Sequence, residues 1–240
     1  MLPVSDDNPA FATPIVSWTL IGLCVAVFLY QLSLGFNTNE GLAFVLSYGM
    51  VPYRLFENPD WPAGLAAPEP ALTLVTSMFL HGGILHLLGN MLYLWIFGDN
   101  VEAAMGKVRF IMFYLVCGVT AALAQAFMDP DTQIPMVGAS GAISGVLGAY
   151  LLLYPTANVR ILVFLGFFIT TFRVPALVVL GLWFVFQLLS AQSLQEMGQE
   201  GGVAFMAHIG GFVAGMVLIR FFRRPTRGPW EDRHRARWLR

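Results

Sequence analysis

The sequence predicts an all-α, polytopic membrane protein of six transmembrane helices, the fourth of which is short and buried. Two observations carry this prediction. Of the 240 residues, 57% are hydrophobic and only 11% are charged, whereas soluble domains carry about 25% charged residues. The apolar residues also form runs that approach the roughly 20 residues needed to cross a bilayer as a helix. Composition and run length together exclude an ordinary soluble domain.

The predicted spans differ in length, and the fourth is the exception. They cover residues 14–34, 83–104, 110–128, 138 or 140 to 154, 175–191 and 203–222. The fourth would extend only ~22 Å at 1.5 Å per residue, less than the ~30 Å hydrocarbon core, so it must begin below the membrane surface in a protein-lined cavity. A long first loop covers about 35–70, and the apolar segment 159–174 is expected to lie at the membrane interface.

The basic residues are distributed unevenly and predict the topology. With six spans, Arg54 is the one basic residue on its side of the membrane, and the other 12 Lys and Arg lie on the opposite side. The positive-inside rule therefore places both termini in the cytoplasm. A membrane domain over 14–222 is flanked by an N-terminal tail, 1–13, and a basic C-terminal tail, 223–240. That tail is expected to contact anionic lipid, and nucleic-acid binding is the weaker interpretation.

The string Gly138-Ala139-Ser140-Gly141 opens the fourth span and contains a candidate nucleophile. Neighbouring glycines leave the Ser140 hydroxyl uncrowded, and a helix N-terminus offers free N–H groups to a developing oxyanion. Gly141 and Gly145 also form a GxxxG pair, which is typical of closely packed membrane helices. On this string alone, helix packing is the stronger interpretation.

His208 lies well inside the sixth apolar span. An ionisable residue there is costly and indicates function by default. Gly211 and Gly215 follow at i+3 and i+7 on one helix face, which could meet the glycines of the fourth helix and bring His208 within hydrogen-bonding reach of Ser140. A histidine bonded only to a backbone carbonyl is the alternative.

A third candidate string includes His86 and Asn90, which are four residues apart and share a helix face. Both side chains can donate hydrogen bonds to an oxyanion. Zinc binding is the competing interpretation, although HExxH and a suitably spaced acidic ligand are both missing. His81 precedes two glycines and suits a helix-entry hydrogen bond at least as well as catalysis.

The remaining polar and sulfur-containing residues of the apolar runs suggest structural roles. Cys24 and Cys117 lie inside apolar stretches, where free thiols pack as small hydrophobes, so we expect no disulfide and no cysteine metal site. Asp99 and Glu102 follow the second span and are interpreted with Gly106 and Arg109 as a helix-end and loop-anchoring cluster.

Together, the GxSG string, the HxxxN string and a histidine before two glycines resemble the rhomboid family of intramembrane serine proteases over about 14–222. The resemblance implies a Ser–His dyad without an acidic third member, no metal or cofactor, and cleavage of membrane-protein substrates in or near their transmembrane segments. It also implies a bacterial inner membrane and an active site open to the extracytoplasmic side. By resemblance, the site comprises the nucleophile Ser140, the base His208, the oxyanion-stabilising His86 and Asn90, and the supporting residues His81, Gly138, Gly141 and Gly211.

The sequence departs from some family members at two places. Leu72-Thr73 stands where some carry Trp-Arg, and Ser144 stands where some carry a tyrosine that packs on the histidine. Two rival functions differ from a protease in the residues they require. A non-enzymatic member of the fold should lack a catalytic position, and this chain keeps all four. A transporter or channel should carry polar residues through the membrane, whereas here they cluster toward one face.

Overall fold

The structure, a computed structural model, describes residues 2–9, 12–57, 59, 62, 65–66, 68–165, 168–197 and 204–224. Each of the six predicted spans forms a helix in this part of the chain, so the all-α prediction of a six-helix bundle is confirmed. The predicted start of the sixth span at residue 203 lies outside the described residues, as does 225–240 of the basic tail. The spans are α1 (Ile15–Leu34), α5 (Ile84–Met105), α6 (Lys107–Met128), α7 (Ser140–Leu153), α8 (Ala176–Met197) and α9 (Phe205–Phe222).

By length and composition, α1, α6 and α9 can each cross a membrane. Three short helices occupy the first loop: α2 (Asn39–Tyr48), α3 (Pro52–Glu57) and α4 (Pro70–Thr76). The segment Pro70–Phe79 meets α5 at an 83° bend, and this bent pair is a fourth candidate span. The chain is therefore a multi-pass integral membrane protein.

Helix α7 forms the centre of the bundle, as expected of a short buried helix. Every residue from Gly141 to Tyr150 is buried. Glycines let its neighbours approach closely: a Cβ at Gly145 would lie 2.5 Å from the Cβ of Cys117 on α6, and a Cβ at Gly148 would overlap the carbonyl oxygen of Phe212 on α9. Small residues therefore set the spacing between α7 and its two neighbours.

A small antiparallel sheet was not predicted. Strands β1 (Leu2–Asp6), β2 (Asn158–Leu165) and β3 (Phe168–Pro175) pair in the order β1-β2-β3. Two of these strands occupy the segment expected to lie at the membrane interface. Short apolar runs such as NVRILVFL do not distinguish a strand from a buried helix by periodicity. The sheet ties the N-terminal tail to the segment between α7 and α8.

Asp6 connects this sheet to the helices. Its carboxylate accepts hydrogen bonds from the Tyr150 hydroxyl and, at 3.1 Å, from Asn100 Nδ2. Burial is the main reason that the pKa of Asp6 is raised from 3.8 to about 6. The neighbouring Asp7 accepts from the Asn158 side chain at 2.8 Å, which lowers the pKa of Asp7.

We predict that the thermal stability of the protein in detergent rises as the pH falls from 7.5 to 5. The folded state binds a proton at Asp6 more tightly than the unfolded state does, so stability increases between the folded pKa of about 6 and the unfolded value of 3.8. Melting curves should show that Asp6→Asn loses this rise. Asp7→Asn is the matched control and should keep it. An unchanged pH profile in Asp6→Asn would contradict the assignment.

Glu102 fastens the start of α1 to the end of α5. This buried carboxylate accepts from the backbone N–H groups of Val16 at 3.1 Å and Ser17 at 2.8 Å, and from the Ser17 hydroxyl at 2.9 Å. It thereby binds donors that a helix N-terminus leaves without an intrahelical acceptor. Close by, a Cβ at Gly106 would overlap the guanidinium of Arg224. Both observations fit the predicted structural role of this cluster.

We expect Glu102→Ala to lower the melting temperature strongly, because each buried donor left without an acceptor costs about 1–3 kcal/mol. The measurement is thermal unfolding in detergent at neutral pH. The exposed Glu57 at the end of α3 is the matched control, and Glu57→Ala should change stability by less than about 0.5 kcal/mol. Equal melting temperatures for the two variants would refute the capping role.

Arg54 anchors the first loop, although Leu72-Thr73 lacks the Trp-Arg of some family members. Its buried guanidinium donates to the carbonyl of Ser47 at 3.3 Å and to that of Pro68. These contacts join α2 and α3 to the segment that leads into α4. The Thr73 hydroxyl makes a local hydrogen bond, to the carbonyl of Pro70 at 2.6 Å.

Candidate active site

Ser140 and His208 meet at the N-terminal ends of α7 and α9. The distance from Ser140 Oγ to His208 Nε2 is 2.8 Å, a hydrogen bond. Ser140 is the first residue of α7, so its N–H has no carbonyl partner one turn earlier in the helix. The two residues thus combine a hydroxyl, an imidazole and a free helix N-terminus.

Close packing of α7, α9 and α6 makes this contact possible. A Cβ at Gly211 would overlap the backbone carbonyl of Gly141 and would lie 3.3 Å from the Cβ of Ala121. A Cβ at Gly141 would lie 2.6 Å from the same Ala121 Cβ. These glycines therefore serve packing, and the packing brings Ser140 and His208 together.

His86 lies beside the serine across Gly138. A Cβ at Gly138 would lie 2.8 Å from His86 Nε2 and 3.7 Å from Ser140 Oγ, and its φ of +125° also favours glycine. Gly82 N–H lies 3.4 Å from His86 Nδ1 in donor geometry. An accepting Nδ1 leaves the proton of a neutral imidazole on Nε2, the nitrogen nearer to Ser140. His86 can thus present a donor toward the serine.

Asn90 lies one turn after His86 on α5. Its side chain is 7% exposed and lines the same cavity as Ser140 and His208. Its Nδ2 is buried and has no hydrogen-bond partner within the described residues. A buried amide donor without a partner is costly, and it is available to bind an oxyanion that enters the cavity.

His81 lies near His86 and is hydrogen-bonded to Gln31 of α1 and to Phe79, just before α5. Its backbone N–H donates to Gln31 Oε1 at 3.0 Å, and its Nδ1 lies 3.3 Å from the carbonyl oxygen of Phe79. The ring is fully buried and meets the His86 ring edge-on at a centroid distance of 5.3 Å. This geometry indicates support of the His86 ring.

The sequence interpretation missed two residues of α8 that contact His208. Gln187 Oε1 lies 2.8 Å from His208 Nδ1, and the Trp183 ring lies against the imidazole at a centroid distance of 5.9 Å. Trp183 thus flanks the histidine, whereas Ser144, where some members carry a tyrosine, donates to the Ser140 carbonyl at 2.7 Å. The sequence offered one signal for Gln187, because it is the lone amide residue in the apolar run 176–191.

The site opens into a cavity of about 1100 Å³. The cavity lies at the end of the bundle opposite Glu102, beneath the first loop and the loop between α6 and α7. Those loops are joined by a bridge between Met50 and Met136 and by a 3.1 Å hydrogen bond from Tyr53 N–H to the Thr132 carbonyl. Within the described residues, no three His, Cys, Asp or Glu side chains are grouped to hold a metal ion.

A family model described as "Rhomboid domain" matches residues 68–225. The chain belongs to the rhomboid family. The matched region of this rhomboid-family chain contains all the candidate site residues and excludes most of the first loop.

Curated relatives agree with that membership. Rhomboid protease GluP of Bacillus subtilis (strain 168) is 32% identical over 208 residues, which cover 85% of this chain and 35% of that protein. Rhomboid protease AarA of Providencia stuartii is 30% identical over 144 residues, which cover 55% of this chain and 48% of that protein. The match to Rhomboid protein 1, mitochondrial, of Saccharomyces cerevisiae covers 61% of this chain and 40% of that protein at 29% identity. This rhomboid-family chain thus spans less than half the length of each of these relatives.

Proposed function

We propose that the chain is an intramembrane serine endopeptidase that uses Ser140 as nucleophile and His208 as general base. The observation that carries this proposal is the 2.8 Å contact between Ser140 Oγ and His208 Nε2 at a cavity within an apolar helix bundle. A serine hydroxyl is a weak nucleophile until an adjacent base accepts its proton. Family membership and the names of the protease relatives support the same reaction class.

The reaction follows from the positions of these groups. Ser140 Oγ attacks the substrate carbonyl carbon while His208 Nε2 takes the hydroxyl proton and then gives it to the leaving amine. The Ser140 N–H, His86 Nε2–H and Asn90 Nδ2 donate to the tetrahedral oxyanion. A water molecule then attacks the acyl-enzyme, with His208 again as base. A Ser–His pair with these donors requires no metal and no cofactor.

The substrates proposed are membrane proteins cut in or near a transmembrane segment. A continuous helix keeps its carbonyls in internal hydrogen bonds, so a substrate must unwind locally before Ser140 can reach one. Small or helix-breaking residues near the cut are therefore favoured. The 12 basic residues on the side opposite Arg54 support cytoplasmic termini and an extracytoplasmic cavity. The bacterial relatives GluP and AarA support residence in a bacterial inner membrane.

Covalent labelling tests the nucleophile directly. A fluorophosphonate should modify the purified protein in detergent, and peptide mapping by mass spectrometry should locate the adduct on Ser140. Ser77 and Ser144 also line the cavity and serve as internal controls, because neither is hydrogen-bonded to a histidine within the described residues. Modification of Ser77 or Ser144 in place of Ser140, or labelling that persists in Ser140→Ala, would reject the proposal. A rhomboid-fold protein without enzymatic activity would show no labelling.

A further inference from the structure

Gln187 is an inward-facing polar residue in the otherwise apolar first part of α8, residues 176–189. Its side chain is 5% exposed, whereas those of Leu182 and Phe186 are 67% and 62% exposed. Burying an amide among apolar groups is costly unless it is hydrogen-bonded. The partner here is His208 Nδ1, 2.8 Å from Gln187 Oε1.

We propose that Gln187 is a positioning residue that holds His208 in the tautomer a general base requires. The inference rests on the proposed protease function and adds a third member to the Ser140–His208 pair. Gln187 Oε1 can only accept a hydrogen bond, so the imidazole proton lies on Nδ1. Nε2 then keeps its lone pair toward Ser140 Oγ, 2.8 Å away. The bond made by one ring nitrogen thus sets the role of the other.

Trp183 restrains the same imidazole from the same helix face. Residues 183 and 187 are one turn apart, and the Trp183 and His208 ring centroids lie 5.9 Å apart. Trp183 also packs against Phe212 of α9 at 5.9 Å. The hydrogen bond fixes the rotation of the imidazole while the indole covers one side of it. The position of α8 therefore determines the orientation of the base.

The tautomer can be measured without any substrate. In detergent-solubilised protein labelled with ¹⁵N-histidine, the His208 signals are assigned by their loss in His208→Ala. In the wild type at neutral pH we expect a protonated Nδ1 and an unprotonated Nε2. Gln187→Met keeps the size of the side chain, removes the strong acceptor and should yield a mixture of tautomers. Gln187→Glu retains an acceptor and should preserve the wild-type pattern.

Kinetics then test the consequence for cleavage of a single-span substrate in liposomes. The wrong tautomer of a catalytic histidine costs up to about 10⁴ in kcat, and a mixture should cost Gln187→Met about 10- to 100-fold, with KM within twofold. Gln187→Glu should recover kcat to within about tenfold of wild type on the same reasoning. Phe186→Met changes the lipid-facing neighbour on α8 and should retain wild-type kinetics.

The outcomes separate this inference from the proposed function. A wild-type His208 protonated on Nε2 would mean that the amide donates to Nδ1, and it would overturn the inference. An unchanged His208 tautomer in Gln187→Met would also overturn the inference. So would equal losses of kcat in Gln187→Met and Gln187→Glu when the tautomer is intact in both. If the wild type neither cleaves nor is labelled, the protease proposal fails, while the tautomer measurement still decides the role of Gln187.

Discussion

Ser140→Ala, His208→Ala and the double variant are expected to lose cleavage activity by the same large factor. Members of a catalytic unit are strongly non-additive, and in a soluble serine protease either member alone costs about 10⁶ in kcat. Without Ser140 no acyl-enzyme forms, so the base has nothing to deprotonate. Without His208 the hydroxyl in this apolar site has no acceptor for its proton. Removing the second member should therefore cost little more.

The measurement is the initial rate of cleavage of a single-span substrate reconstituted with each variant in liposomes. Ser33→Ala replaces an exposed serine on α1 and should leave the rate unchanged. Circular dichroism and melting temperature confirm that each variant is folded. If the two single losses multiply in the double variant, Ser140 and His208 act independently and the dyad assignment is wrong.

Most of the helical framework could be predicted because lipid imposes simple rules on sequence. A spanning segment must be long, apolar and helical, so the limits of five of the six spans were recovered to within a few residues. The fifth span was predicted to end at residue 191, whereas α8 extends to Met197. Residues 192–197 are mostly polar. A change from apolar to polar residues indicates where a chain leaves the lipid, but the helix itself can continue beyond that point.

The three strands escaped prediction for a different reason. Their pairing joins residues far apart in sequence, Leu2 with Leu162 and Asp6 with Val159. No local pattern encodes such a register. The apolar composition of the second strand also fits a segment lying at a membrane interface, so composition alone did not reveal that 159–174 forms strands.

In the candidate site, the predictable residues were those that violate the apolar pattern most sharply. Ser140 stands next to Gly141, His208 lies two residues before Gly210 in a long apolar run, and His86 and Asn90 share a helical spacing. Gln187 carries no charge and belongs to no motif; its place in an apolar run marks it as unusual, but only its position relative to His208 shows what it contacts. Side chains that act through another residue are recognised by geometry, which a single sequence does not contain.

Gly211→Ala is expected to lower cleavage by at least about 100-fold, because a displacement of about 1 Å at a reacting group can cost that much. The new methyl group would overlap the backbone carbonyl of Gly141, and a backbone atom of a buried helix cannot move aside as a flexible side chain can. Helix α9 must therefore shift away from α7. His208 lies less than one helical turn before residue 211, so the shift lengthens its contact with Ser140.

The same steric argument predicts the stability of the variant and its control. Overpacking of a dense interior costs about 1–3 kcal/mol, so the melting temperature of Gly211→Ala in detergent should fall together with its activity and its rate of fluorophosphonate labelling. Gly22 on α1 has no atom within 4 Å of its Cβ position, and Gly22→Ala should retain both activity and stability. Full activity and an unchanged melting temperature in Gly211→Ala would show that the approach of α9 to α7 does not depend on glycine. A normal melting temperature with lost labelling would instead confine the effect of the substitution to the Ser140–His208 contact. Labelling is therefore the more direct measure of how closely helix packing and catalysis are linked.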